Sequence, residues 1–157
     1  MIEVLIKPLS QNYIEPEKKT AGAIAYDLAI PNQVRIPTGR CIVPLDFAIQ
    51  LPECHELKIE PRSGFSAKGM EGYVDNNGEK GCKRRFDCDV IQGKVDCDYR
   101  GCVGVIVNNR DIPFFIERGT RIAQGTIYKA EPVVMCEVTE LSETDRGAGG
   151  YGHTGAK

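Results

Sequence analysis

The chain has 157 residues, 41% of them hydrophobic, with 20 Lys+Arg against 22 Asp+Glu and a formal charge of −2. That is one domain with a core large enough to fold without disulfide staples. The near-balance of charge argues against direct nucleic-acid binding, and no apolar run approaches membrane-spanning length.

Seventeen glycines and nine prolines leave little room for long helices. In chain order the apolar segments 2–6, 34–36, 41–43, 47–51, 57–59, 103–107, 114–116, 122–128 and 133–138 are short and bounded by turn residues. Several alternate, as in Ile2, Val4 and Ile6. Strands at this spacing predict an all-β sandwich or barrel. One short helical piece is expected at 65–68. The stretch 69–81, with four glycines and the pair Asn76-Asn77, is loop-like and suits turns or a hairpin. No internal repeat or interdomain linker stands out. The N-terminus, Met1 to Pro8, lacks the charged and long apolar regions of a signal peptide. With an odd count of seven cysteines, this predicts reduced thiols in the cytoplasm.

Five stretches combine polar residues with glycine where a plain β-sandwich would not need them. Thr20 to Leu28 places one acid, Asp27, in an apolar run, where it needs a partner such as Arg62. Pro61-Arg62-Ser63-Gly64 follows an apolar strand. It can cradle a phosphate, and taken alone it is equally a type I turn with an exposed arginine. Gly93 to Gly101 sets Asp96 and Asp98 two apart, on one face if the segment is a strand. A carboxylate there can deprotonate a water, and Tyr99 would lie beside the group attacked. A polar hairpin with solvated aspartates is the plain alternative. Arg118 to Gln124 precedes a strand, and Gln124 can bond a phosphate or the backbone.

The fifth stretch is the tail Arg146-Gly-Ala-Gly-Gly-Tyr-Gly-His-Thr-Gly155. Glycines free the backbone to curl around an anion, arginine brings a planar fork and tyrosine a flat face for a base. Such a tail can close over a nucleotide or simply fray. Gly147, Gly149 and Gly152 satisfy G-x-G-x-x-G, but no strand–helix unit follows, so a dinucleotide fold is rejected.

In this order and spacing, the stretches at 21–28, 61–64, 93–101, 119–124 and 146–155 resemble the five motifs of the homotrimeric dUTPase family. The resemblance implies a jelly-roll domain over 1–144 and a C-terminal arm over 145–157 that closes on the site. It implies hydrolysis of dUTP to dUMP and pyrophosphate, which limits uracil in DNA and supplies dUMP for dTMP synthesis. Asp96 matches the acid that activates water, and Tyr99 the ring beneath the deoxyribose. The main chain of a hairpin around Val90, Gly93, Lys94 and Val95 would read uracil. Arg62, Ser63, Gly64 and Gln124 match phosphate contacts, with Asp27 in support. Arg146 matches the arm's contact to the γ-phosphate, and Tyr151 and Gly152 the cover over uracil, a tyrosine standing where phenylalanine is usual. Mg²⁺ is implied, carried by the triphosphate and waters with no direct protein ligand. So is a three-fold ring whose active sites are shared between subunits.

Some features depart from the family. Ala25 and Gly125 replace expected residues, and Val90 stands near the place of a uracil-reading asparagine. The gap before Asp96 is long, so 69–87 reads as an insertion. Cys82, Cys88, Cys97 and Cys102 are poorly spaced for zinc; free thiols acting as small hydrophobes are expected. Lys83-Arg84-Arg85 is expected in a solvated turn, His55 at the surface, and His153 without a catalytic role. A deaminase acting on dCTP and a nucleotide-gated interaction module that uses the insertion are the alternative readings. If the source were viral, the compartment would be a host cell's cytosol or nucleus.

Overall fold

A computed structural model describes residues 2–150. The chain folds as a jelly-roll-like all-β domain in which every strand pair is antiparallel. Among the described residues there are thirteen strands and one short helix. Strands β1 (Leu5–Pro8) and β5 (Phe47–Gln50) pair with each other. A four-stranded sheet runs in the order β10 (Gly93–Val95), β6 (His55–Pro61), β13 (Arg121–Lys129), β2 (Tyr26–Ala29). A three-stranded sheet holds β4 (Gly39–Pro44), β11 (Gly104–Asn109) and β9 (Cys88–Ile91). The last sheet orders β3 (Val34–Ile36), β12 (Phe114–Ile116), β7 (Met70–Asn76) and β8 (Glu79–Phe86).

Alternation decides the strand faces. Along β11, Val105, Val107 and Asn109 are buried while Gly104, Ile106 and Asn108 are half-exposed. Of the two buried polar residues among those described, Asn109 and Thr126, Asn109 is drawn in with every side-chain bond met. Asn109 Nδ2 donates to the carbonyls of Pro37 (3.0 Å) and Ile112 (3.1 Å), and its Oδ1 accepts from Asp111 N (2.9 Å).

The expected short helix is α1 (Ser63–Lys68). It stops at Gly69, whose N–H donates to the Phe65 carbonyl at 2.8 Å. Gly69 has φ 72°, and a Cβ there would lie 2.3 Å from the Phe86 carbonyl oxygen, so only glycine lets the chain leave the helix against β8.

The stretch read as loop-like is strand β7, the turn Asn77-Gly78 and the start of β8. Both turn residues have positive φ (53° and 94°), the mark of a type I′ hairpin turn. This hairpin belongs to the core. Phe86 stacks on Phe114 with centroids 4.0 Å apart and planes 7° apart, and both rings are buried. Gly72 permits the approach, since a Cβ there would sit 2.6 Å from the Phe114 ring. Lys83-Arg84-Arg85 therefore lies on a strand, not in a solvated turn. Arg84 grips Asp111 with two bonds (2.8 and 3.0 Å) and covers the Phe86 ring at 4.1 Å.

Segment 133–138 does not form its expected strand. Val134 and Met135 are 87% and 90% exposed. Strand formation needs a partner edge and a surface to half-bury the side chains, and this segment lies against neither. From Ala130 to Ala148 every residue is exposed. All seven cysteines are free. Cys88 is a core residue, and burial pushes its thiol up to about 12, whereas Cys54, Cys82, Cys102 and Cys136 are exposed. Among the described residues no three His, Cys, Asp or Glu side chains gather to hold a metal. His55 is half-buried on β6, its Nδ1 2.8 Å from the Glu53 carbonyl, so it is less exposed than expected.

Candidate functional site

Two depressions carry residues of four of the five motifs. The larger, about 870 Å³, brings together Asp27, Arg62, Ser63, Gly64 and Gln124, all named from the sequence. The sheet register makes this happen. On β13, Gln124 lies level with Asp27 of β2 on one side and Glu60 of β6 on the other. Strand β6 ends at Pro61, so Arg62 and α1 emerge at that same edge.

Asp27 is held from two sides. Arg62 Nε lies 2.9 Å from Oδ1, and Arg121 Nη1 donates to Oδ2 at 2.8 Å. Arg62 also donates from Nη1 to the Arg121 carbonyl at 3.1 Å. One carboxylate between two guanidiniums leaves a net positive charge whose geometry is fixed before any ligand arrives. Arg62 was foreseen as the acid's partner; Arg121 was missed. Its signal was its place in the Arg118 to Gln124 stretch, but only the β2–β13 pairing, with a register shift between Arg121 and Ala123, aims it at Asp27. Beside Gly64 a Cβ would meet no atom within 4 Å, so the backbone there faces open space.

The second depression, about 240 Å³, holds Lys94, Val95, Asp96 and Tyr99 with Ile42 and Ile106. Strand β10 ends at Val95, and Asp96 follows it, exposed, into a turn closed by Tyr99 N donating to the Asp96 carbonyl at 3.2 Å. Asp98 lies in that turn, so the two acids do not share a strand face. Tyr99 Oη donates to the Cys102 carbonyl at 3.1 Å, folding the ring over Gly101, where a Cβ would lie 2.3 Å from that oxygen. The ring stays 46% exposed.

The expected hairpin through 90–95 is a crossing between sheets. Strand β9 pairs with β11, while β10 pairs with β6. Val90 is buried in the core, so its side chain is withdrawn from any ligand. Strand β10 is the outer strand of its sheet, and its free edge presents backbone donors and acceptors.

The two depressions are separate within one chain. Val95 is level with Leu57, so Asp96 falls level with Glu56, six residues before Arg62. Lys94 pairs with Glu56 and confirms that end of the strand. At about 3.3 Å per residue, Asp96 and Arg62 stand roughly 20 Å apart. Arg146 lies in an exposed turn, its Nε donating to the Gly149 carbonyl at 2.8 Å. Tyr151 and Gly152 lie outside the described residues, as does His153.

Comparison with known proteins agrees with the motifs. The dUTPase family model matches residues 78–155. The deoxyuridine 5'-triphosphate nucleotidohydrolase of Wolinella succinogenes is 37% identical over 98% of this chain and 95% of its own length. That of Rhizobium rhizogenes is 41% identical over 89% and 84%, and that of fowl adenovirus A serotype 1 is 38% identical over 94% and 74%. The fold is similar to that of the Staphylococcus bacteriophage 80alpha dUTPase with dUpNHpp (TM-score 0.82, 22% identity, 99% of both chains). It is also similar to a mutant dUTPase from phage phi11 of S. aureus, described for the coordination of a structural Mg(II) ion (TM-score 0.73, 19% identity, 89% of this chain and 99% of the other).

Proposed function

This chain belongs to the dUTPase family, and we propose that it hydrolyses dUTP to dUMP and pyrophosphate at a site assembled between copies of itself. The reaction limits uracil in DNA and supplies dUMP for dTMP synthesis. One observation carries the shared site: Asp96 on one side and Arg62, Ser63, Gly64 and Gln124 on the other line different depressions of the same chain, roughly 20 Å apart along β6. A second copy must bring its own half. A closed three-fold ring satisfies all copies alike, with the 145–157 arm closing over the site as a lid.

In this reading Asp96 takes a proton from a water whose oxygen attacks the α-phosphorus. The bond from that phosphorus to the bridging oxygen breaks, and pyrophosphate leaves with the electron pair. Tyr99 lies under the deoxyribose, its ring held flat by the bond to Cys102. The free edge of Gly93, Lys94 and Val95 pairs with uracil's polar edge, and backbone hydrogen bonds reject a base with the wrong donors better than an apolar wall can. Across the interface, Arg62, Ser63, Gly64 and Gln124 take the phosphates, while Asp27 acts as a positioning residue for Arg62 and Arg121. Arg146, Tyr151 and Gly152 of the arm complete the enclosure.

Mg²⁺ fits only as part of the incoming nucleotide. Asp27 is committed to two arginines, and Glu71 and Glu117 on the cavity wall to Lys83 and Lys80. When bound, it would neutralise phosphate charge.

Pyrophosphate release from dUTP, with dCTP, dTTP and UTP as controls, tests the assignment. Equal turnover of all four would overturn the base-reading edge. Asp96→Asn should lower kcat by about 10²–10⁴-fold with little change in dUMP binding.

A further inference from the structure

The hairpin of β7 and β8 carries none of the five motifs, yet it forms a wall of the phosphate-side cavity. Glu71 and Tyr73 on β7 and Lys83 and Arg85 on β8 lie level across the pair and line that cavity.

Most charges on this wall are already matched. Lys83 pairs with Glu71 at 3.5 Å, and Lys80 with Glu117 at 2.7 Å. Tyr73 Oη donates to the same Glu117 carboxylate at 3.3 Å, and its ring lies under both lysines. Two cations stand apart. Arg85 makes one long bond, to the Gly69 carbonyl at 3.4 Å. Lys68, the last residue of α1, precedes that Gly69 and lines the same cavity. Among the described residues neither has a carboxylate partner.

The backbone that carries them is fixed relative to Arg62 and Ser63 by the helix and by the core. Helix α1 begins at Ser63, so Lys68 is five residues on, about 7.5 Å along the axis. Gly69 then presses the helix exit against Phe86, the neighbour of Arg85, and the stacked Phe86 and Phe114 rings anchor that point to the core. Arg62 and Arg121 share one neutralising carboxylate, whereas Arg85 and Lys68 add two uncompensated positive charges to the same cavity.

We propose that Arg85 and Lys68 form a diphosphate clamp that binds the β- and γ-phosphates of the substrate and holds pyrophosphate as it leaves. The hairpin is thereby part of the substrate site rather than an appendage. Charge that builds on the departing diphosphate meets donors already in place. This inference rests on the triphosphate reading of the cavity, so its test measures pyrophosphate binding apart from turnover.

Calorimetry on the full-length protein in Mg²⁺ buffer measures the affinities for pyrophosphate and dUMP. Each of Arg85→Ala and Lys68→Ala should weaken pyrophosphate about tenfold, the effect of one charge-assisted bond, and leave dUMP within about twofold. Arg85→Lys should retain part of the affinity, keeping the charge and losing the fork. Pyrophosphate affinity within about twofold of wild type in both alanine variants would overturn the clamp, as would equal weakening of pyrophosphate and dUMP. Arg85 is exposed, and thermal melts of the variants should match wild type; if Arg85→Ala melts early, Lys68→Ala decides. A wild-type protein that binds pyrophosphate through Arg85 but does not hydrolyse dUTP would keep the clamp and overturn the reaction. Hydrolysis of dUTP with both Arg85 and Lys68 inert toward pyrophosphate would do the reverse.

Discussion

Mixing two inactive variants tests the divided site directly. Arg62→Ala removes the guanidinium bound to Asp27, and Asp96→Asn removes the proposed base. Each protein alone should be close to inactive, because every site lacks one half. Suppose the halves come from different subunits and the variants assemble at random from equal amounts. A site is whole when its Asp96 comes from an Arg62→Ala chain and its Arg62 from an Asp96→Asn chain. The two draws are independent, so about one quarter of sites are whole, and the mixture should recover about 25% of wild-type activity. The geometry behind this is the separation of roughly 20 Å set by the β10–β6 register. The assay is pyrophosphate release after co-refolding, with sedimentation to report assembly. If both residues served one chain's own site, the mixture would show only the mean of two near-zero rates. Such a result, from a mixture shown to contain hetero-oligomers, would refute the two-depression argument.

Three further outcomes follow from packing and charge. Phe86→Ala should destabilise the protein by about 3–5 kcal/mol in urea unfolding, because Phe86 stacks on Phe114 inside the core; less than about 1 kcal/mol would show the hairpin to be peripheral. The Arg84 hydrogen bonds hold the Asp111 carboxyl down at about 2, below its ordinary 3.8. A depressed acid contributes stability that is complete above its unfolded value and lost as pH falls through its folded one. Melting temperature should therefore drop between about pH 4 and pH 2, and Asp111→Asn should flatten part of that drop. An unchanged acid limb in Asp111→Asn would remove this pair from the account. Exposed Cys82 should react with a maleimide at pH 8 within minutes, while Cys88, buried and with its thiol raised to about 12, should react only on unfolding. Peptide mapping reads both, and equal labelling would contradict the burial.

Local signals in the chain were enough for much of this protein. Alternating short apolar runs marked most strands, because a half-buried strand needs period two wherever it lies. Glycines and the pair Asn76-Asn77 marked turns or a hairpin somewhere in 69–81, since both residue types tolerate positive φ, and the structure places the turn at Asn77-Gly78. Four of the five motifs named residues that gather in the two depressions, while Arg146 of the fifth lies in an exposed turn outside both. What the chain could not disclose was register and company. Arg121 reaches Asp27 only because β13 pairs with β2 with a shift at Arg121, and no feature near Arg121 announces that. The 69–87 stretch read as an addition, yet its Phe86 is a core ring, since stacking on Phe114 joins positions 28 residues apart. Segment 133–138 carries a strand-like pattern and lies exposed, because a strand is completed by a neighbouring edge that local composition cannot supply. Residue chemistry and local backbone preference were thus set by the sequence alone. Which charges meet, and that Asp96 and Arg62 face different depressions, was decided by the pairing of distant strands.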